Sequence, residues 1–149
     1  MDIQTFIEKL QAYHSDLVFN PWSEFDASCD IGEKAPVIRS ETFKRYLELR
    51  QNAKYLFIAE GLGYQGGHFS GIAITSERIL LGNHPDVDQK SVLGEWDYAK
   101  TRTSDPNSPL LNNSQKQIEF LCFFCISSTF VNHSCNFILH IFKRFRYKN

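Results

Sequence analysis

Cysteine is scarce in the first 119 residues, which hold only Cys29. That excludes a disulfide framework there and points to a reducing cytoplasm. No Gly-Lys-Ser/Thr run occurs, which excludes a P-loop. The N-terminus MDIQTFIEKL has an acid at position 2 and no basic start followed by an apolar block, so no secretory signal is expected. No glycine or proline follows Pro109, no acid follows Glu119, and no internal repeat is visible.

These last absences coincide with a change in composition. A chain of 149 residues with 42% hydrophobic and 22% charged residues is of a size and balance for one globular domain. Residues 1–119 carry 12 Lys and Arg against 17 Asp and Glu, a net charge of −5. Residues 120–149 carry 4 basic residues and no acid, together with seven of the 13 Phe and three of the 4 Cys. We therefore divide the chain into a body, 1–119, and an atypical Phe/Cys-rich tail, 120–149. Cys122-x-x-Cys125 with His133, Cys135 and His140 could hold zinc, but the second group lacks a compact knuckle, and no metal is expected. Seven polar residues between Ser127 and Asn136 make 120–141 a poor membrane span.

In the body, Ile3, Phe6, Ile7, Leu10, Tyr13 and Leu17 recur at helical spacing, which predicts a helix over 2–17 capped by Asp2. Pro21, Gly32 and Pro36 predict an irregular segment over 18–39. Ser40 is expected to cap a helix near 41–51. Tyr55–Ala59 reads as a buried strand ending on Glu60. Gly61, Gly63, Gly66, Gly67 and Gly71 form a loop, Thr75 and Ser76 open a short helix near 76–81, and 82–114 reads as polar surface loops. Strand, glycine loop and helix start can cradle an anion or a nucleotide. The bland alternative is a mobile connection. Glu60 stands where α/β proteins place reacting groups, and Tyr64 and Phe69 offer stacking faces for a base.

Ala59-Glu60-Gly61-Leu62-Gly63-Tyr64 and Gly71-Ile72-Ala73-Ile74-Thr75-Ser76-Glu77, with Phe19-Asn20-Pro21-Trp22 upstream, resemble the uracil-DNA glycosylase superfamily, most of all its bacterial branch. The resemblance covers about 1–119. It implies an α/β protein, here an incomplete three-layer α/β/α domain. It also implies a pocket wall in which Glu60 and Gly61 position the attacking water, with Gly63, Tyr64 and Gly71 beside the base. Ala73-Ile74 stand where the family has the Pro-Phe that supplies the stacking ring, so Ile74 is placed beside the base without a ring and Phe69 or Tyr64 are the candidates to stack in its stead. Thr75 and Ser76 would meet a DNA phosphate. Cys29 alone argues against the iron–sulfur cluster of some branches, and no cofactor is expected.

The family's later Asn, which reads uracil, and its His-Pro-Ser motif have no counterpart; His133-Ser134 lacks the proline. A truncation or reading-frame change near Glu119 would account for both the missing motifs and the altered composition. The expected function is hydrolysis of the N-glycosidic bond of uracil in DNA, weak or absent in this chain, by a cytoplasmic monomer whose partner is uracil-containing DNA. The alternatives are a non-catalytic nucleotide- or nucleic-acid-binding module built on Gly61–Gly71, and a small protein with a zinc-binding tail.

Overall fold

The computed structural model describes residues 2–55, 66–98 and 102–106. Five helices run in chain order: α1 (Ile3–Gln11), α2 (Ala35–Glu48), α3 (Gly67–Ser70), α4 (Glu77–Leu80) and α5 (Gln89–Leu93). The described residues contain no sheet, only isolated antiparallel bridges between Ser15 and Val18 and between Asp30 and Ser104.

The expected three-layer α/β/α architecture is thus overturned: the described fold is helical. An isolated strand leaves its N–H and C=O groups without a ladder, and a sheet needs further strands that the described residues do not supply. Tyr55, expected to open the strand, lies outside any strand and is 53% exposed. Residues 56–65, including Glu60, Gly61, Gly63 and Tyr64, lie outside the described residues, as does the tail.

Asp2 caps α1 as expected, its carboxylate accepting from the Thr5 N–H at 2.8 Å. The helix nevertheless stops at Gln11 rather than Leu17. Asn20 draws the chain back, its amide donating to the carbonyls of Leu10 at 2.7 Å and Tyr13 at 2.9 Å. The second helix starts at Ala35, six residues before the expected position. Pro36 sits in its first turn, where a missing N–H costs nothing. Ser40 lies inside α2, and its hydroxyl accepts from the Gln11 side chain at 2.9 Å.

α2 is the central element and touches α1, α3 and α5. Ile72, Ile79, Leu80, Val92, Leu93 and Tyr98 form the core cluster, with Phe43 and Tyr46 of α2 packed against it. On the α1 side Phe43 sits 5.3 Å from the Trp22 ring and 6.4 Å from Phe6. α5 falls within the stretch expected to be loop. Asp88 caps it by accepting from the Lys90 N–H at 3.0 Å, and Gly94 ends it at φ +65°.

An ion pair lies at the centre of the irregular segment. The Arg39 and Asp30 side chains are 0% exposed and meet at 2.7 Å. Arg39 Nη2 also donates to Asp30 at 3.0 Å and to the Glu24 carbonyl at 2.8 Å, and Nε donates to the Pro21 carbonyl at 2.5 Å. Every nitrogen of the guanidinium thus has a partner, the condition under which a buried charge is tolerated. Replacing Arg39 by Met leaves Asp30 uncompensated and should cost about 3–5 kcal/mol of unfolding free energy, read from urea denaturation.

Candidate functional site

Gly67, His68, Phe69 and Ser70 of α3 are all buried, although this run was expected to prolong an open loop. α3 ends on Gly71, whose φ is +70°. A Cβ there would lie 2.9 Å from the Arg39 carbonyl oxygen, so only glycine fits both the conformation and the space. The Gly71 carbonyl accepts from the Trp22 indole N–H at 3.1 Å.

From Gly71 the chain makes a tight turn to α4. The buried Ser70 hydroxyl is shared between the carbonyls of Ile72 at 3.1 Å and Thr75 at 2.7 Å, and it accepts from the Ile72 N–H at 3.1 Å. The Thr75 N–H closes the turn onto the Ile72 carbonyl at 3.3 Å. Closed in this way, the turn places Ile74 at φ +59°, the only positive φ at a non-glycine among the described residues, with its side chain 54% exposed. A β-branched residue in that region carries strain, of a kind that collects at functional sites.

Beyond the turn, Glu77 opens α4 with a buried carboxylate. Oε1 accepts from the hydroxyls of Tyr98 at 3.0 Å and Thr103 at 3.2 Å and from the Thr103 N–H. Oε2 accepts from the Ser104 hydroxyl, and the Ser104 N–H lies 3.4 and 3.3 Å from Oε1 and Oε2. Burial, the nearby Glu77 carboxylate and the hydrogen bond to it raise the Tyr98 phenol well above its ordinary value, so Tyr98 is held as a donor.

His68 lies stacked on Phe19, ring centroids 4.3 Å apart, with its Nε2 3.5 Å from an Asp26 oxygen. Burial lowers its pKa to about 4, helped by the Arg39 guanidinium; the Asp26 and Asp30 carboxylates oppose the shift but do not offset it. The imidazole is therefore neutral near pH 7, packed rather than charged.

The structure brings together Phe69, Gly71, Ile74, Thr75 and Ser76 of the expected site. Phe69 is 1% exposed, its ring edge-on to His68, and belongs to the interior. Thr75 is buried and its hydroxyl donates to the Ala73 carbonyl at 3.2 Å, while Ser76 is half-buried and precedes a four-residue helix. Ile74 is the outermost of the five. Glu60, Gly61, Gly63 and Tyr64 lie outside the described residues. Sequence reasoning missed Arg39, Asp30 and the many-fold acceptor role of Glu77. Glu77 was visible within the Thr-Ser-Glu motif, but its donors at 98, 103 and 104 carry no pattern. Among the described residues no group of His, Cys, Asp and Glu could hold a metal ion, and no helix is long and apolar enough to cross a membrane. No family model matches this chain, and neither a curated protein nor a solved structure does.

Replacing Ile74 by Gly should relieve the positive-φ strain and raise stability by about 1 kcal/mol, measured by urea denaturation. A second expectation concerns pH. The unfolded chain takes up a proton at His68 near pH 6.5, the folded one only near 4. Stability from this group is thus full above about 6.5 and falls by about 3 kcal/mol as pH drops toward 4. Urea midpoints followed over this range should fall more steeply for the parent than for His68→Gln.

Proposed function

We propose that this chain acts on uracil-containing DNA as a base-excision protein with weak glycosidic activity, working as a monomer in the cytoplasm. One observation carries the reading. The two described segments that resemble uracil-DNA glycosylases, Phe19–Trp22 and Gly71–Glu77, pack against each other. The Trp22 indole bonds the Gly71 carbonyl across 49 residues of chain, and Phe19 covers His68 three residues before it. Two motifs chosen for their sequence alone are thereby parts of one local structure, which ends in an exposed turn.

On this reading Ile74 meets the base and Ser76 lies along the backbone of the DNA, while the buried Thr75 only closes the turn. Glu60 and Gly61 would orient the attacking water, with Gly63 and Tyr64 beside the sugar and base. Glycosidic cleavage also has to stabilise the departing uracil anion, and a single lost donor to such an anion costs about 100- to 1000-fold in rate. The His-Pro-Ser motif that serves this purpose in uracil-DNA glycosylases is not found in these 149 residues, since no proline follows Pro109. Turnover is accordingly slow. The same absence favours a second reading, a module that binds nucleic acid without cleaving it.

The deciding experiment is a strand-cleavage assay at abasic sites after incubation with a uracil-containing duplex. Slow cleavage confined to uracil is the expected result. Retained binding with no cleavage over days would replace the first reading by the second, and absence of both would end them together.

A further inference from the structure

His68 lies under a cover that comes from another part of the chain. Phe19 stacks on its ring with centroids 4.3 Å apart and planes 16° from parallel. The Asp26 carboxylate stands 3.5 Å from its Nε2, and only 5% of the side chain reaches solvent. Both covering residues belong to Phe19–Asp30, a segment without a helix.

The cover is held down mainly by polar contacts. Arg39 donates to the Pro21 and Glu24 carbonyls and to the Asp30 carboxylate, and the Trp22 indole donates to the Gly71 carbonyl. The rings of Trp22 on Phe43 and Phe19 on His68 are its aromatic anchors. The turn around Asp26 is closed within itself. The Asp26 carboxylate accepts from the Ser28 N–H at 2.9 Å, and the Asp26 carbonyl from the N–H groups of Cys29 at 3.1 Å and Asp30 at 2.8 Å. Phe25, Ala27 and Ser28 face solvent. A segment with so few apolar anchors and no backbone ladder belongs to the part of a protein that opens first.

Charge decides when it opens. The described charged groups that act on His68 are Asp26 and Asp30 from the covering segment and Arg39 from α2; α3 brings none of its own. Arg39 is already committed to Asp30. A proton on His68 therefore adds a second cation near Arg39, in a slot lined by the Phe19 and Phe69 rings.

We propose that Phe19–Asp30 is an acid-released strap: protonation of His68 lifts it from α3 while the helices stay folded, which uncovers the imidazole and Cys29. Covered, His68 takes up a proton only near pH 4; in water it does so near 6.5. The lifted state is therefore favoured as pH falls through this window, by about 20-fold between pH 7 and pH 5 for a fully hydrated imidazole. Cys29 reports the movement. It is 3% exposed, and its carbonyl accepts from the Asp105 N–H at 2.9 Å, a contact that lifting must break.

The test is the rate at which dithiodipyridine labels Cys29 in the full chain between pH 7 and pH 5. Peptide mass spectrometry counts Cys29 apart from Cys122, Cys125 and Cys135. Division by the rate for the urea-unfolded chain at each pH removes the reagent's own pH dependence, and far-UV circular dichroism follows the helices. We expect the normalised rate to rise about 20-fold with no loss of helical signal, and His68→Gln to abolish the rise. His68→Phe, which keeps a ring against Phe19 and takes no proton, should do the same and serves if His68→Gln does not fold. A flat rate in the parent, an equal rise in a folded His68 variant, or a rise that tracks loss of helical signal would each overturn the strap.

Discussion

The Arg39–Asp30 pair is the contact on which the arrangement of this chain depends. Neither residue belongs to the apolar core, yet both are fully buried, and each organises a segment with little regular structure. Arg39 gathers the carbonyls of Pro21 and Glu24, and Asp30 receives the Asp26 N–H at 3.0 Å and lies in the bridge to Ser104. Residues 18–34 have no helix, and only Phe19 and Trp22 tie them to the rings of His68 and Phe43. Their packing is completed by one side chain of α2, which satisfies carbonyls that would otherwise be buried without donors. The hydrophobic cluster around Leu80, Leu93 and Tyr98 drives compaction, and the ion pair determines which loop lies where.

Two further arginines of α2 and its end repeat this use of a guanidinium as a carbonyl collector. Arg45 donates to the Leu93 carbonyl at 3.2 Å, and Arg50 to those of Val92 at 2.8 Å and Ser91 at 3.0 Å. Cations at the C-terminus of α5 complement its dipole and occupy its unsatisfied carbonyls. Both also lie over rings, Arg50 3.9 Å from the Tyr46 centroid and Arg45 5.9 Å from that of Trp96. A helix as short as α5 has almost no stability of its own, so these external donors do much to fix it.

Legibility in the sequence followed the range of the interaction. The cap at Asp2 and the start of a short helix after Ser76 were readable because both are decided within four residues. The same local rules could have found α5 between Asp88 and Gly94, had the surrounding polar residues not suggested loop. The end of α1 was not readable, since Asn20 decides it from outside the helix. Ser40 looks like a cap in isolation, but tertiary contact with Gln11 and a proline-initiated first turn take precedence. Of the strand expected at Tyr55–Ala59 only Tyr55 is described, outside any strand; the expectation came from apolar content, and apolar runs of that length do not identify a sheet unless partner strands exist. For the site, Gly71, Ile74 and Thr75 were marked by their motif. The carboxylate and guanidinium that hold them were not, because their partners lie 9 to 27 residues away without a spacing rule.

Gly71 and Ile74 stand three residues apart and face opposite pressures. At Gly71 backbone, indole and the Arg39 side chain converge so closely that hydrogen is the largest group that fits. At Ile74 the backbone is dictated by its neighbours while the side chain reaches into solvent. A rigid mount with an interchangeable tip is the result. Mutations at the mount would be lost to misfolding, whereas mutations at the tip would alter what the surface presents and leave the frame intact. Variation among descendants of this chain should therefore concentrate on a single exposed side chain, giving selection a way to change the contact without rebuilding the protein beneath it.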